Sequence, residues 1–300
     1  MESIFIKTYL PVITSSKELY ENLYHRILPV VQSAGECRAI VLRIIENFYH
    51  YDALAVAVNK KLPSSLSSHV LEDVIERLYQ QEPIQYILQK SYFLNRSFKV
   101  TPAVLIPRQE TEELVIRILR EHTLPNLQIL DIATGSGCIA ITLQKELNFG
   151  SIDALDISEE ALQIARENAA HHDEMINWYQ IDILRDPLPD KKWDIIVSNP
   201  PYVCMSEMKD MLPQVLAYEP SQALFVPDFA PLKIYKKIIA QASIYLKPSG
   251  KLYLEINERF GKEVMALCHQ HSFGEVYLEK DLNDKDRFII ATRTGLSKNS

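Results

Sequence analysis

The 300-residue sequence predicts an α/β protein, with a mostly parallel sheet flanked by helices after a small all-helical domain. Two features predict this. The first third of the chain spaces apolar residues at three- and four-residue steps, as amphipathic helices do. The remainder alternates short apolar runs with amphipathic stretches, which favours parallel strands connected by helices. The composition, 47% hydrophobic and 24% charged, fits a globular chain long enough for two cores.

The helical bundle is expected in residues 1–90. Ser15 and Ser16 can cap its first helix, which should end near Pro29. Three apolar stripes mark the helices: Leu19, Leu23 and Ile27; Cys37, Val41, Ile44, Ile45 and Phe48; and Val70, Leu71, Val74, Ile75 and Leu78, after Ser67 and Ser68. Each stripe needs a partner, so the helices should pack together. Two roles remain open for this bundle, a stabilising cap and a docking surface for a protein substrate.

A β-hairpin linker is expected at residues 91–107. There Asn95 and Arg96 separate two short runs of aromatic and β-branched residues. The second domain, 108–300, should hold buried strands at 128–132, 151–155, 195–198 and 252–256. Two further strands, 275–278 and 288–292, are separated by too few residues for a crossover helix. At least one terminal strand should therefore be antiparallel.

Charge and composition weigh against several classes of protein. The formal net charge is −7, from 32 Lys+Arg and 39 Asp+Glu, which disfavours duplex nucleic acid as the main partner. The scattered cysteines show no metal-ligand spacing, which predicts reduced thiols and no metal site. The N-terminal apolar streak is broken by Lys7 and Pro11, and no apolar run approaches the roughly 20 residues of a membrane span. We expect a soluble cytoplasmic protein without a membrane partner.

The first candidate site is a loop of small residues after a predicted strand. In the segment ILDIATGSGCIAITL, the strand ends around Asp131 and a helix should start near Cys138. The loop between them consists of Ala133, Thr134, Gly135, Ser136 and Gly137. Such a turn lets a ligand approach the backbone and directs helix N-terminal amides towards it. The loop alone is weak evidence, because glycine turns are common in α/β proteins.

Acidic residues near the ends of the next strands strengthen the nucleotide interpretation. Asp156 ends the strand of LDIS, where an acid can accept both hydroxyls of a ribose. The alternative for Asp156 is an ordinary turn residue. Asp182, at a third strand end in YQIDIL, is placed to meet an adenine amino group, with Ile183 packing on the ring. Together these residues favour an adenosine-containing ligand.

The segment WDIIVSNPPYV carries the chemistry. A buried strand leads directly into Asn199, Pro200, Pro201 and Tyr202. The prolines stiffen the turn, so the Asn199 carboxamide and the Pro200 carbonyl can accept both hydrogens of a planar NH2 group while Tyr202 lies against its flat face. An amide nitrogen is a poor nucleophile, so catalysis must come from fixing it in line with an activated methyl carbon, as S-adenosylmethionine supplies. A rigid surface turn is the alternative.

These motifs, in this order, resemble class I S-adenosylmethionine-dependent methyltransferases, and the whole chain resembles the release-factor glutamine methyltransferase (HemK-type) family. Five further stretches are similar to the family in order: EPIQYI (82–87), VLIPRQETEELV (104–115), YEPSQAL (218–224), LKPSGKLYLEI (246–256) and KDLNDKDRF (280–288). The resemblance implies a Rossmann-like seven-stranded sheet with a reversed final strand, preceded by a helical bundle.

The resemblance also implies roles for residues. The cofactor S-adenosylmethionine would be held by the loop 133–137, Asp156, Asp182, Ile183 and Asn199. The turn 199–202 would accept the glutamine of a Gly-Gly-Gln motif in a peptide chain release factor. The enzyme would then methylate the side-chain nitrogen N5 of that glutamine. Arg108 and Glu110 resemble residues that close over the active site.

The chain departs from the family pattern at several positions. Ala133 stands where the family usually has glycine, which is tolerable if the backbone there keeps negative φ. The other departures are Gln89, Gln109, Val226, Pro227 and Asn257.

Three alternatives remain open. A ribosomal-protein glutamine methyltransferase would share the fold and the turn. A DNA or RNA adenine methyltransferase could use the same turn, but it needs basic loops or an added recognition domain to hold an unstacked base. A noncatalytic binding module would be expected to show a broken loop or turn, and both are intact here.

Overall fold

The computed structural model describes residues 13–63, 68–147 and 150–294. The chain divides into two compact units, residues 1–88 and 89–300. One apolar core lies within the first unit, and two lie within the second. Among the described residues, no helix is both long and apolar enough to cross a membrane.

The first unit is helical, as predicted. Its helices are α1 (Ser16–Ile27), α2 (Ala34–Tyr49), α3 (Ala53–Ala57), α4 (Ser68–Tyr79) and α5 (Ile84–Ile87). Ser15 caps α1 by accepting from the Glu18 N–H, and the Glu18 side chain bonds back to the Ser15 N–H. The three predicted stripes contribute to the core, but Val70 is 40% exposed and does not belong to it. Ser67, predicted to precede α4, lies outside the described residues.

The predicted hairpin is confirmed. Strands β1 (Lys90–Phe93) and β2 (Arg96–Lys99) pair antiparallel, with Phe93 opposite Arg96. The two residues between the strands, Leu94 and Asn95, both have left-handed backbone with φ of 45° and 62°. Positive φ at both central residues is the geometry of the tight turn that suits twisted antiparallel strands. The hairpin lies in the second unit.

A seven-stranded sheet organises the second unit. Its strands are β3 (Gln128–Ile132), β4 (Ser151–Asp156), β5 (Asn177–Gln180), β6 (Trp193–Ser198), β9 (Leu246–Glu255), β10 (Phe273–Lys280) and β11 (Asp286–Arg293), in the order β10-β11-β9-β6-β3-β4-β5. The pairs joining β5, β4, β3, β6 and β9 are parallel, whereas β11 runs antiparallel to both neighbours. The predicted mostly parallel sheet with a reversed final strand is confirmed.

Helices cover both faces of the sheet. They are α6 (Gln109–Glu121), α7 (Cys138–Glu146), α8 (Glu159–His171), α11 (Lys233–Tyr245) and α12 (Gly261–Gln270). Within β3, Ile129 packs in one core with α6 and α7, while Leu130 and Ile132 pack in the other with α11 and α12. This alternation follows from the two-residue period of a strand, and burial on both faces explains why the strands read as continuous apolar runs.

Strand β9 is longer than the predicted 252–256. It begins at Leu246, and its register against β6 shifts between Trp193 and Ile195. The extra residues include Pro248, Ser249 and Gly250, which resemble a turn in sequence. A Cβ on Gly250 would lie 3.0 Å from the backbone oxygens of Asp194 and Lys247, so this irregular stretch requires glycine. The turn-like composition therefore reflects the bulge rather than the end of the strand.

The order of the strands opens a crevice beside β3. From β3 the chain moves outward to β4 and β5, then returns to place β6 on the other side of β3. Connections that diverge from adjacent carboxyl ends leave a crevice, the usual ligand position in an open α/β sheet. Short elements follow β6: β7 (Val203–Cys204), α9 (Pro213–Tyr218), α10 (Ser221–Leu224) and β8 (Phe225–Val226).

All four cysteines are buried and free, in agreement with the predicted reduced thiols. They are Cys37, Cys138, Cys204 and Cys268. Burial raises the pKa of the Cys138 and Cys268 thiols to about 12.

Candidate functional site

A cavity of about 520 Å³ lies at the carboxyl ends of the central strands. Cavities of this size hold small molecules and cofactors. Ten of the sequence-predicted site residues line it: Ala133, Thr134, Gly135, Ser136, Asp156, Asp182, Ile183, Asn199, Pro200 and Pro201. The other two, Gly137 and Tyr202, directly follow lining residues in the chain. The fold thus brings the separate motifs to one place.

The loop 133–137 is held by backbone hydrogen bonds. The Thr134 N–H donates to the Leu155 carbonyl at 3.0 Å, and the Gly137 N–H donates to the Thr134 carbonyl at 2.9 Å. Gly137 has φ of 79°, and a Cβ there would lie 3.0 to 3.2 Å from the side chains of Ile141, Ala165 and Trp178. Only glycine satisfies both the backbone angle and this close packing. Helix α7 begins at the next residue, Cys138, as predicted.

Ala133 departs from expectation. Negative φ was expected for alanine at this position, but φ is 61° in the structure, so that expectation was wrong. The left-handed region costs a residue with a Cβ roughly 1–2 kcal/mol. Its neighbours Ile132 and Thr134 are buried and hydrogen-bonded, so the surroundings impose the conformation. The loop keeps the shape suited to glycine at the expense of local strain.

Asp156 is tied to the loop by its carboxylate. One oxygen accepts from the Gly135 N–H at 2.9 Å, and the other accepts from the Ser158 N–H at 3.0 Å. Burial raises the pKa of Asp156 despite these bonds. Because each carboxylate oxygen has a second lone pair, the group can still accept hydroxyls from a ligand.

Asp131 lies in the strand just before the loop 133–137, and no role was predicted for it from the sequence. It is fully buried, and its Oδ2 accepts from the Thr134 hydroxyl at 2.6 Å, while Oδ1 has no hydrogen-bond partner among the described residues. Burial, together with repulsion from Asp156, raises the pKa of Asp131 to about 7. A buried acid in an otherwise apolar strand, just before a small-residue loop, is a signal that could have identified it.

Asp182 lies past the end of its strand, which corrects the predicted strand-end position. Strand β5 ends at Gln180, and the chain turns at Asp182 because the Asp182 carboxylate accepts from the Leu184 N–H at 2.9 Å. Side chains of Ile181, Ile183 and Leu184 accompany it along the cavity. This part of the cavity wall therefore combines apolar side chains with one hydrogen-bond acceptor, the Asp182 carboxylate.

The turn after β6 is anchored by a set of side chains that we call the Glu255 network: Asn199, Thr111, Glu255 and Tyr202. The Asn199 Nδ2 donates to Thr111 Oγ1 at 2.9 Å. Thr111 Oγ1 donates to Glu255 Oε2 at 2.7 Å, and the Tyr202 hydroxyl donates to Glu255 Oε1 at 3.0 Å. Glu255 is only 1% exposed. Neither Thr111 nor Glu255 was predicted as a site residue from the sequence.

Arg108 lines the cavity and forms an ion pair with Glu219, with Arg108 Nη2 2.6 Å from Glu219 Oε1. The buried Glu219 carboxylate also accepts from the Ile106 N–H at 3.4 Å. The pair therefore connects the segment before α6 with the end of α9. Burial raises the pKa of Glu255 and of Tyr202, and the negative charge of Glu110 adds to the rise in both groups.

The fold and the cavity define a class of protein. The family model "Methyltransferase small domain" matches residues 110–225, which include the loop, Asp156 and the turn 199–202. A methyltransferase structure from Pyrococcus furiosus shares the fold, with a TM-score of 0.50 at 17% identity over 66% of this chain and 89% of that chain. Residues 110–225 therefore match a methyltransferase domain, and they lie in a unit with an α/β fold.

Curated relatives give the family. A release factor glutamine methyltransferase from Bacteroides thetaiotaomicron is 42% identical over 261 residues, covering 86% of this chain and 93% of that protein. Another from Flavobacterium psychrophilum is 39% identical over 275 residues, covering 90% and 96%. The chain belongs to the release factor glutamine methyltransferase family, which confirms the resemblance inferred from the sequence.

Proposed function

We propose that this protein transfers the methyl group of S-adenosylmethionine to the side-chain nitrogen N5 of the glutamine in the Gly-Gly-Gln motif of a peptide chain release factor, in the cytoplasm. The observation that carries the proposal is the turn 199–202: its residues Asn199, Pro200 and Pro201 line the cavity, and the Asn199 carboxamide is anchored through Nδ2. Relatives named for this activity cover nearly the whole chain.

The cavity fits the proposed cofactor. Asp156 would accept the ribose hydroxyls, and Asp182 with Ile183 would meet the adenine. The loop 133–137 and Asn199 would border the amino-acid portion. Asp131 lies two residues before the lining residue Ala133, and a cation bound there would stabilise the ionised form of this buried carboxyl. When bound, S-adenosylmethionine supplies a methyl carbon activated by its sulfonium. We propose no metal in the reaction.

The turn would act by orienting the substrate amide. The Asn199 side-chain oxygen and the Pro200 carbonyl would each accept one hydrogen of the glutamine NH2, which fixes the plane of the amide. Pro201 has no N–H to compete for those oxygens, and Tyr202 would lie against the amide face. Methyl transfer would break the bond between sulfur and the methyl carbon and release S-adenosylhomocysteine. The methylated nitrogen would then be cationic and acidic, and it would lose a proton to water without a general base from the chain. The contribution of these residues is alignment.

We propose that the helical unit docks the release factor. Leu54 on α3 and Val58, which directly follows that helix, are both more than 60% exposed. Exposed apolar pairs of this kind suit a protein partner.

A methyl-transfer assay tests the proposed function. Purified protein with methyl-labelled S-adenosylmethionine is expected to label a release factor, and a Gln→Ala change in the Gly-Gly-Gln motif should abolish the label. Ribosomal protein, DNA and RNA serve as competing substrates in the same assay. Labelling of one of those, with none on the release factor, would overturn the proposal.

A further inference from the structure

The Glu255 network connects a buried carboxylate to the amide that lines the cavity. Glu255 ends β9, Thr111 lies on α6 and Asn199 follows β6, so three separate elements meet there. Both carboxylate oxygens accept a hydrogen bond, from Thr111 at 2.7 Å and from Tyr202 at 3.0 Å. Thr111 and Glu255 are 3% and 1% exposed, so water has little access to replace either partner.

While Glu255 is ionised, the donors and acceptors of this network can be ordered in only one direction. A carboxylate only accepts, and a threonine hydroxyl has a single hydrogen. Since Thr111 gives that hydrogen to Glu255, it can only accept from Asn199. The Asn199 NH2 must therefore face Thr111 at 2.9 Å, and the side-chain oxygen must point elsewhere. A reversed amide would bring two oxygens together without a hydrogen, an arrangement disfavoured about 10-fold or more.

We propose that Glu255 is a positioning residue that sets the polarity of the Asn199 carboxamide, so that an acceptor rather than a donor meets the substrate NH2. The proposal rests on the proposed function, since it requires a substrate that donates N–H at this turn. Through its second oxygen, Glu255 also holds the Tyr202 hydroxyl. One carboxylate thus fixes both side chains proposed to contact the amide.

The surroundings of Glu255 support an acceptor at this position. The positive charge of Arg287 lies near both Glu255 and Tyr202. Its Nε donates to Asp281 at 3.1 Å, and its Nη1 donates to the Ile256 carbonyl at 3.2 Å. The guanidinium is thereby fixed close to the carboxylate. Burial raises the pKa of Glu255, and the negative charge of Glu110 raises it further. Two donated hydrogen bonds and Arg287 oppose this rise.

Near-isosteric variants test the direction of the hydrogen bonds. Glu255→Gln keeps the shape but introduces an NH2 donor, and Thr111→Val removes the hydroxyl. Each is expected to lower kcat about 10-fold or more, with less than a twofold change in the Kd for S-adenosylmethionine. Thr111→Ser, which restores the hydroxyl, should recover most of the turnover. The kcat of the double variant, Glu255→Gln with Thr111→Val, should be close to that of the slower single variant, because both changes break the same chain of hydrogen bonds.

Thr142→Val is the matched control. Thr142 is fully buried in α7, and its hydroxyl has no hydrogen-bond partner among the described residues. The same substitution there should leave kcat and cofactor affinity unchanged. Equal loss of kcat in Thr142→Val and Thr111→Val, or wild-type kcat in a folded Glu255→Gln, would overturn the positioning role.

A second measurement does not depend on turnover. Nuclear magnetic resonance of 15N-labelled protein should show slow exchange of the Asn199 side-chain NH2, about 10-fold faster in Glu255→Gln and in Thr111→Val. Unchanged exchange would overturn the proposal. If the wild type methylates no release factor, the proposed function fails, whereas the polarity of Asn199 is still decided by this exchange rate.

Discussion

The two sides of the cavity are built differently. On the proposed cofactor side, backbone N–H groups of the loop 133–137 bond to Leu155 and to the Asp156 carboxylate. On the proposed substrate side, the turn after β6 is oriented by side chains of Thr111 and Glu255 from other elements. At Ala133 the backbone scaffold keeps its shape although alanine stands in place of glycine. A side-chain network depends on the identity of each member.

The largest expected effect is on the substrate side. Asn199→Ala removes the carboxamide that orients the nucleophile, so kcat should fall about 100-fold. The Kd for S-adenosylmethionine should change far less. Steady-state kinetics with calorimetric titration of the cofactor measure both quantities. Equal losses in both would indicate a cofactor or structural role for Asn199 and would remove the contrast between the two sides.

The next effect tests the backbone scaffold. In Gly137→Ala, the new Cβ would lie 3.0 to 3.2 Å from three side chains at a residue with φ of 79°. We expect a loss of about 2–3 kcal/mol in the free energy of unfolding and weaker cofactor binding. Gly135→Ala is the control for φ alone, because a Cβ there meets nothing within 4 Å. Urea denaturation should show the smaller loss in that variant.

An intermediate effect concerns pH. The pKa of Asp131 lies at about 7 in the folded protein against an ordinary value of 3.8, so between these values the folded state keeps a proton that the unfolded chain has lost. The stability contributed by this group is full below about pH 4 and is lost as pH rises through about 7. Denaturation midpoints of the cofactor-free protein at several pH values check this, and Asp131→Asn should flatten that part of the profile. If the cofactor brings a cation near Asp131, the affinity of the protein for the cofactor should rise with pH over the same range.

The smallest effect should come from Ala133→Gly. Glycine relieves the cost of φ at 61° but increases the entropy of the unfolded chain, so we expect a net gain of about 0.5 kcal/mol. Cofactor affinity should stay within twofold. A loss of stability above about 1 kcal/mol would mean that the Ala133 methyl group makes contacts that outweigh its strain.

The sequence predicted those parts of the site that are local in the chain. The loop 133–137, Asp156 and the turn 199–202 each follow a strand, and parallel strands bring their carboxyl ends to one edge of the sheet. The Thr111–Glu255 bond joins residues 144 positions apart, so no short motif encodes it. A faint signal existed, since Thr111 interrupts an apolar helix face and Glu255 interrupts an apolar strand.

Backbone angle and strand length were also beyond sequence reasoning. The positive φ of Ala133 is imposed by the packed neighbours of the loop, not by any preference of alanine. The early start of β9 at Leu246 depends on a register shift against β6 that composition alone does not reveal.

The buried cysteines make the molecule convenient for spectroscopic labelling. A thiol reacts as its thiolate, and burial both shields the four native sulfurs and, at Cys138 and Cys268, suppresses ionisation at neutral pH. A single cysteine introduced at an exposed position, such as Phe229, should therefore react with a fluorophore much faster than the native residues. Fluorescence from that one probe could follow ligand entry in a chain whose own cysteines need no replacement.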